Sequence, residues 1–326
     1  MKTYLDKILS NELLTFDESK SFIHSINDEE FTPEVLGGVL IGLEQRGIQL
    51  EELKGFRAGL LELVTPVELE FENAIDLCGT GGDGKNTFNI SSTTSLVLAA
   101  MGKKVIKHGN YGVSSVCGSS DVLKNMGFQF KTTSRALQQD LDRNNICFIH
   151  APLFHPAMKK VAGIRKNLGR KTLFNALGPL VNPVQPNLQL TGTYSLELAK
   201  MYQLILKNNR TNYAVVHGMD GYDEISFTDS TRVFGKFSDN ILLPSQFGLP
   251  SIKDQNLAGG SSITQSAQMV KTILKGNGSI SQTNVVAINT ATALNIFEPS
   301  ASLKELFEFS QDFIKKGHAF NHFKFN

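Results

Sequence analysis

The chain has 326 residues, 41% of them hydrophobic and 19% charged. That length supports one large domain or two ordinary ones with a buried core, and the composition excludes a disordered protein. With 32 basic against 31 acidic residues, the formal net charge of +1 points to neither nucleic acid nor a membrane surface as partner.

Taken from the start, the chain reads as helical through residue 66. Leu5, Ile8, Leu9 and Leu13 recur at helical spacing. Thr32-Pro33-Glu34 has the form of an N-cap followed by proline at the first helical position, and Gly47 stands where that helix would end. A third pattern places Leu53, Phe56, Leu60 and Leu61 on one face before Thr65-Pro66 stops it. From residue 74 the rhythm changes. Short apolar runs at 75–78, 104–106, 146–149 and 214–216 read as strands, separated by helical patterns at 91–101, 134–143 and 195–207. Such alternation predicts an α/β fold: a mostly parallel central sheet flanked by helices, joined to a smaller all-helical domain. The expected division is residues 1–70 for the helical domain, completed by helices within 153–178, and residues 71–326 for the α/β domain. The segment from 262 to 316 reads as mostly helical. The tail HAFNHFKFN, 318–326, reads as a frayed, loosely docked end.

Cys78, Cys117 and Cys147 are too few and too irregularly spaced for a disulfide framework or a zinc site. Asp6 and Glu12 interrupt any apolar run that a signal peptide would need, and no stretch approaches the ~20 apolar residues that span a bilayer. The expectation is a soluble, unprocessed cytoplasmic protein.

The chemistry concentrates in polar loops that follow strands. Cys78-Gly79-Thr80-Gly81-Gly82-Asp83-Gly84 sits directly after the first strand. Glycines there permit positive φ, close approach of a ligand and an anion-binding nest of N–H groups. A glycine-rich turn without a ligand explains that stretch equally well by itself. Thr87-Phe88-Asn89-Ile90-Ser91-Ser92-Thr93 then opens a helix, whose free N–H groups and dipole suit a phosphate. Lys107-His108-Gly109-Asn110 follows the next strand and continues through Tyr111-Gly112-Val113-Ser114-Ser115 to Gly118-Ser119-Ser120-Asp121. Three such loops at strand ends point to a polyanionic ligand. Asp223-Glu224 is by default a solvated acidic pair, but beside a diphosphate it is the oxygen pair that Mg2+ favours. Arg165 lies among Lys159, Lys160 and Lys166, so a basic helix face is the default there. A guanidinium also matches a carboxylate in bidentate fashion.

GTGGD, NISS, KHGN, HPAMKKVAGIRKNLG, LFNALGPLVNP at 173–183 and GYDEIS together resemble the signature blocks of the anthranilate phosphoribosyltransferases of tryptophan biosynthesis, a glycosyltransferase family. The resemblance runs from the N-terminal helices through at least residue 230. It implies a homodimer whose small-molecule substrates are 5-phosphoribosyl 1-diphosphate, the donor, and anthranilate, the acceptor. Nucleic acid and membrane are not implied as partners. Carried over residue by residue, it implies donor contacts from Gly79, Gly82, Asp83, Thr87, Asn89, Ile90, Ser91, Ser92, Lys107, His108, Gly109, Asn110, Tyr111, Gly112, Val113, Ser114, Ser115 and Ser119. Gly79, Asn110 and Arg165 would meet anthranilate. Ser91, Asp223 and Glu224 would carry magnesium, two ions per monomer.

The implied reaction displaces diphosphate from the ribose anomeric carbon by the anthranilate amine. Lys107, Asp223 and Glu224 would act electrostatically, and no residue would serve as acid or base. Tyr111, Val116 and Cys117 depart from the family's usual Arg, Lys and Ser. Two cations beside the donor loop are therefore missing, so an arginine restored at 111 is expected to tighten donor binding. His108 and His155 read as core or capping histidines, or as contacts. A pyrimidine nucleoside phosphorylase-like enzyme is the nearest rival, but it would need no acidic metal pair. A nucleic-acid-binding paralogue would need a basic face, which the net charge argues against.

Overall fold

The computed structural model describes residues 2–26, 31–112, 117–236, 238–323 and 325. Four helices, not three, open the chain: Lys2–Leu9, Phe16–Ser25, Pro33–Arg46 and Leu50–Glu62. The helix that periodicity missed is marked by its start. Thr15 Oγ1 accepts from Glu18 N at 3.2 Å, and Glu18 Oε2 accepts from Thr15 N at 2.9 Å. This reciprocal capping box satisfies two amides that a helix end leaves free. Thr32 caps the third helix as expected, with Pro33 first and Gly47 at φ +83° after it. Phe22 packs edge-on against Tyr4, Phe31 and Phe56, with centroids 5.6, 5.6 and 5.8 Å away.

The helical segment after residue 150 returns to this bundle. Ala157, Val161, Leu173 and Leu177 share one buried apolar cluster with Leu36, Leu40, Phe56 and Leu60. The same cluster runs on to Tyr213, Val215 and Phe234 of the sheet. The bundle is thus seated against the α/β part, not tethered to it.

Seven strands make one sheet: β1 (Ala74–Leu77), β2 (Lys104–Gly109), β3 (Ile146–His150), β4 (Leu188–Gly192), β5 (Asn212–Gly218), β6 (Thr231–Gly235) and β7 (Asp239–Leu242). Their order is β3-β2-β1-β4-β5-β6-β7. The first five are parallel, and β6 and β7 add an antiparallel edge. Side chains alternate between faces, as the pleat requires. Ile75, Leu77, Val105 and Phe148 join the cluster built with helices Ile90–Ala100, Ile263–Leu274 and Ile280–Phe297. Ala74, Ile106, Cys147 and Ile149 face the opposite way with Leu137 and Leu141.

The tail departs from expectation. Helix His318–Phe323 is docked: Ala319 is fully buried, and the ring of Phe128 meets Phe323 and Phe325 edge-on at 5.9 and 5.6 Å. Aromatic burial outweighs the weak helical propensity of the segment.

Two glycines on helices make opposite predictions. A Cβ on Gly163 would meet nothing within 4 Å, whereas one on Gly55 would stand 2.3 Å from Phe16 O and 2.7 Å from Ser19 Cβ. Alanine at Gly163 should stabilise by roughly 0.5–1 kcal/mol through reduced backbone entropy. Alanine at Gly55 should destabilise by about 1–3 kcal/mol, because helices Phe16–Ser25 and Leu50–Glu62 must separate. Urea denaturation of the two variants checks both signs.

Candidate active site

In this sheet the strand order reverses between β1 and β4, since β2 and β3 lie on one side and β5 on the other. The crevice at such a reversal, beyond the carboxyl ends of the strands, is where open α/β sheets bind ligands. The glycine loop leaves β1 at that point. Gly81, Gly82 and Gly84 have φ of +60°, +74° and +73°, conformations that side-chain-bearing residues rarely adopt.

The loop and the acidic pair are built on each other. Asp223 Oδ2 accepts from Gly81 N at 2.7 Å. A Cβ on Gly79 would lie 2.8 Å from Asp223 Oδ2, and one on Gly192 would lie 1.4 Å from the Asp223 carbonyl oxygen. Glu224 Oε1 accepts from Ser91 N, at the start of helix Ile90–Ala100, at 3.2 Å. The pair is therefore not the solvated feature that an Asp-Glu dipeptide is by default. Burial raises Asp223 well above the carboxylate range, with Asp83 and Glu224 adding like charge. Burial also pushes Glu224 up to about 7, against the pull of Lys107.

These carboxylates lack a full complement of cations. Lys107 Nζ donates to Leu77 O and approaches Ser91 Oγ at 3.5 Å. Ser92 Oγ is buried without a partner. Hard oxygen donors with raised pKa values and one nearby ammonium suit a divalent cation such as Mg2+. Among the described residues, no group of three or more His, Cys, Asp or Glu is placed to hold a metal ion by itself, so a cation here would also need oxygen from a ligand and water.

The KHGN strand end is held from beneath. Asp76 Oδ1 accepts from His108 N at 3.0 Å, and Asp76 Oδ2 accepts from Asn182 Nδ2 at 3.0 Å. His108 Nδ1 pairs with the Gly178 carbonyl at 2.9 Å, so Nδ1 carries the proton. Burial lowers His108 to about 3 and His155, whose ring lies 5.3 Å away, to about 4. Beyond Asn110, Asp121 Oδ2 accepts from both Gly112 N and Gly118 N at 2.9 Å. Tyr111 lies edge-on to His150 at 4.6 Å, and His150 stacks on Phe130 at 4.5 Å. Val113, Ser114, Ser115 and Val116 lie outside the described residues.

Arg165 is not part of a solvated basic face. It is 6% exposed, lies over the Phe174 ring, and donates from Nη2 to Asn175 Oδ1 at 3.1 Å. Burial lowers its pKa to about 10, which leaves it charged at neutral pH. Its Nε has no partner. Sequence reading gave no role to Asn175, which also accepts from Thr172 N at 3.0 Å and donates to Thr80 O at 3.4 Å. One side chain so ties Arg165 to the glycine loop. The only signal for it was LFNALGPLVNP, a motif read as a whole.

All these parts line one cleft of about 1300 Å3, counting the space open to solvent. Every sequence-expected site residue among those described is in its wall, from Gly79 and Gly82 through Arg165 to Asp223 and Glu224. Leu60, Met158, Phe174 and Val181 add an apolar wall that the sequence reading did not assign.

Fold and cleft together define a transferase with a helical bundle seated on an α/β domain and a polar cleft at the sheet's reversal point. Residues 2–64 match the family model described as "Glycosyl transferase family, helical bundle domain", and residues 71–320 match "Glycosyl transferase family, a/b domain". The anthranilate phosphoribosyltransferase of Christiangramia forsetii is 46% identical over 99% of this chain and 98% of its own. The solved structure of the Thermus thermophilus enzyme of that name has a TM-score of 0.87 at 29% identity, covering 98% of this chain and 97% of its own. The Saccharomyces cerevisiae enzyme, solved in complex with PRPP and Mg, has a TM-score of 0.86 at 27% identity, covering 99% and 95%. The chain belongs to this glycosyl transferase family, among its anthranilate phosphoribosyltransferases.

The buried histidines make a pH prediction. His108 and His155 are neutral in the fold, but an exposed histidine titrates near ~6.5. Below that value the unfolded chain binds more protons, so stability present above pH 6.5 is lost as pH falls toward their folded values. His108→Asn keeps an N–H for the Gly178 carbonyl and removes the titration. It should flatten the loss by up to ~1.4 kcal/mol per pH unit. Urea denaturation at pH 7, 6 and 5 measures the slope, and an unchanged slope would refute the buried neutral state.

Proposed function

We propose that this chain transfers the phosphoribosyl group of 5-phosphoribosyl 1-diphosphate to the amine of anthranilate. The products are N-(5-phosphoribosyl)anthranilate and diphosphate, and the step belongs to tryptophan biosynthesis. The observation that carries the reading is a single cleft with two kinds of anion site. The glycine loop, the start of helix Ile90–Ala100, Lys107 and the acidic pair form one, and buried Arg165 forms the other.

Gly81 N and Ser91 N are given to Asp223 and Glu224, so in this reading the other N–H groups of the glycine loop and that of Ser92, with Lys107, hold the donor's phosphates. Asp83, Thr87, Asn89 and the 109–112 segment shape the rest of that site, with Ser119 behind it. Ser91, Asp223 and Glu224 would hold magnesium, at two ions per monomer. Bound there, Mg2+ would offset charge growing on the leaving diphosphate. Arg165, held by Asn175, orients the anthranilate carboxylate, with Gly79 and Asn110 alongside. The amine nitrogen forms a bond to the anomeric carbon as the bond to the diphosphate oxygen breaks, and the oxygen keeps the electron pair. An aromatic amine is neutral at pH 7, so it attacks without prior deprotonation and then releases a proton to solvent. The neutral histidines nearby leave that nitrogen's lone pair free. Catalysis rests on positioning and on preorganised charge.

We further propose the division into a helical lobe, residues 1–70 with 153–178, and an α/β lobe, residues 71–326. A homodimer fits the exposed apolar side chains of the helical lobe, Leu9, Leu13 and Ile41. A cytoplasmic enzyme fits Cys78, Cys117 and Cys147, which form no disulfide among the described residues. Among the described residues no helix is long and apolar enough to cross a membrane.

The direct test mixes protein, 5-phosphoribosyl 1-diphosphate, Mg2+ and anthranilate and follows the loss of anthranilate fluorescence. No loss, or full activity in excess EDTA, would refute the reading. Arg165→Ala should raise the anthranilate KM far more than the donor KM, since losing a charged hydrogen-bonded contact costs about 1.5–3 kcal/mol. An unchanged anthranilate KM would leave Arg165 with a packing role only.

Tyr111 reverses the expectation for its position. Its ring is committed to the His150 edge contact. An aromatic pair contributes ~0.5–1.5 kcal/mol, whereas an exposed ion pair adds only ~0–1. Tyr111→Arg should therefore leave donor affinity equal or weaker, and Tyr111→Phe should leave it unchanged. Calorimetric donor titration at fixed Mg2+ decides this, and marked tightening in Tyr111→Arg would restore the missing-cation view.

A further inference from the structure

The turn that carries Asp223 and Glu224 is fixed from behind by helix Ile280–Phe297. Asn289 on that helix is 1% exposed. Its Oδ1 accepts from Ile225 N at 3.4 Å, and its Nδ2 donates to Ile225 O at 2.9 Å and to Val285 O at 2.8 Å. One side-chain amide therefore gives Ile225 both partners that a neighbouring strand would give. Ile225 is the residue after Glu224.

The remaining restraints on the turn lie elsewhere. Asp223 is held by Gly81 N at its carboxylate and by contact with Gly192 at its carbonyl. Glu224 is held at its tip by Ser91 N. Nothing among these contacts fixes the backbone on the C-terminal side of Glu224 except Asn289. Ser91, Thr94, Glu224 and Asn289 also line one small enclosed space behind the cleft. Alanine or leucine would suit a buried helix better than asparagine, on propensity and on the cost of burying an amide. Neither could offer Ile225 a donor and an acceptor together.

We propose that Asn289 is a positioning residue for the carboxylate pair. Through the Ile225 backbone it sets where Glu224 and Asp223 present their oxygens to a divalent cation. The inference rests on the reading of Asp223 and Glu224 as magnesium ligands. Partners one step removed from a metal ligand commonly change metal affinity when altered, because they fix the ligand's orientation.

The test uses the whole protein and reads binding, not turnover. Donor binding is titrated by calorimetry across a series of Mg2+ concentrations for wild type, Asn289→Leu and Thr290→Val. Folding of each is followed by circular dichroism. Thr290 is the adjacent buried residue, and its hydroxyl donates only to Val286 O within the helix at 2.7 Å. In Asn289→Leu the Mg2+ concentration for half-maximal donor binding should rise about 10-fold, and in Thr290→Val it should not move. A folded Asn289→Leu with an unchanged Mg2+ midpoint would overturn the proposal, as would an equal shift in Thr290→Val. Should the leucine variant not fold, Asn289→Asp keeps the acceptor for Ile225 N and loses the donor. It too must shift the midpoint upward, or the proposal fails. Wild-type donor binding that ignores Mg2+ would instead refute the magnesium reading itself.

Discussion

Asp223 stands where β1 and β4 end, and there is no space there for anything larger than glycine beside it. Gly79 and Gly192 face it from the two strands, and a Cβ on either would collide with its atoms. The rest of the site depends on this close approach. It brings an acid from the loop after β5 onto the loop after β1, 142 residues away in sequence. Once Asp223 is there, Gly81 N is satisfied, and Glu224 reaches the start of the next helix and faces Lys107. Burial is the main reason that both carboxylates have raised pKa values, and the like charge of Asp83 adds to it.

The second constraint joins helix Met158–Leu168 to the sheet. Asn175 gives its amide to Arg165, Thr172 and Thr80 at once. An arginine on a helix packed against the N-terminal bundle is thereby fixed in relation to the glycine loop of the sheet. The shared apolar cluster supplies the bulk of the contact, and this polar bridge supplies its register. Beneath it, Asp76 and Asn182 anchor the KHGN strand end, with Asp76 pushed up to about 6 by burial. Buried polar groups with their hydrogen bonds made rigidify a site and cost little once satisfied.

Much of this was legible in the sequence because it is local. A glycine loop after a strand, a polar helix start and a KHGN strand end are each written in consecutive residues, and each occupies the cleft wall. The parallel sheet was legible for the same reason, from short β-branched runs between helical patterns. What was hidden depends on distance in sequence. Asn175 and Asn289 reach Thr80 and Ile225 across 95 and 64 residues, Leu60 enters the cleft wall from the N-terminal bundle, and each reads locally as ordinary helix. Strand β4 escaped because Gln189 and Thr191 break its apolar run although it is buried throughout, and β6 and β7 escaped because an edge hairpin, exposed along β7, lacks the continuous apolar run of a central strand. Helix Phe16–Ser25 escaped because its signal lies in the cap and not in the period. The docked tail was misread because polarity suggested fraying, while its phenylalanines had partners at Phe128 that no local pattern reveals.

The distribution of buried charge gives the two sides of the cleft opposite electrostatic character. On the sheet side, Asp83, Asp223 and Glu224 crowd together with Lys107 as the nearby cation. On the other side, Arg165 donates to the neutral amide of Asn175, and its Nε is unpartnered. A bare carboxylate that entered the sheet side would meet like charge. At an effective dielectric of ~20, two unit charges ~4 Å apart repel by about 4 kcal/mol, a penalty of nearly three powers of ten in occupancy. A diphosphate arriving with a dication meets attraction there, and the same carboxylate meets attraction at Arg165. On the proposed reading, orientation of the two substrates would follow from where the fold leaves charge uncompensated. The neutral histidines between these regions add no net charge that would blur the distinction.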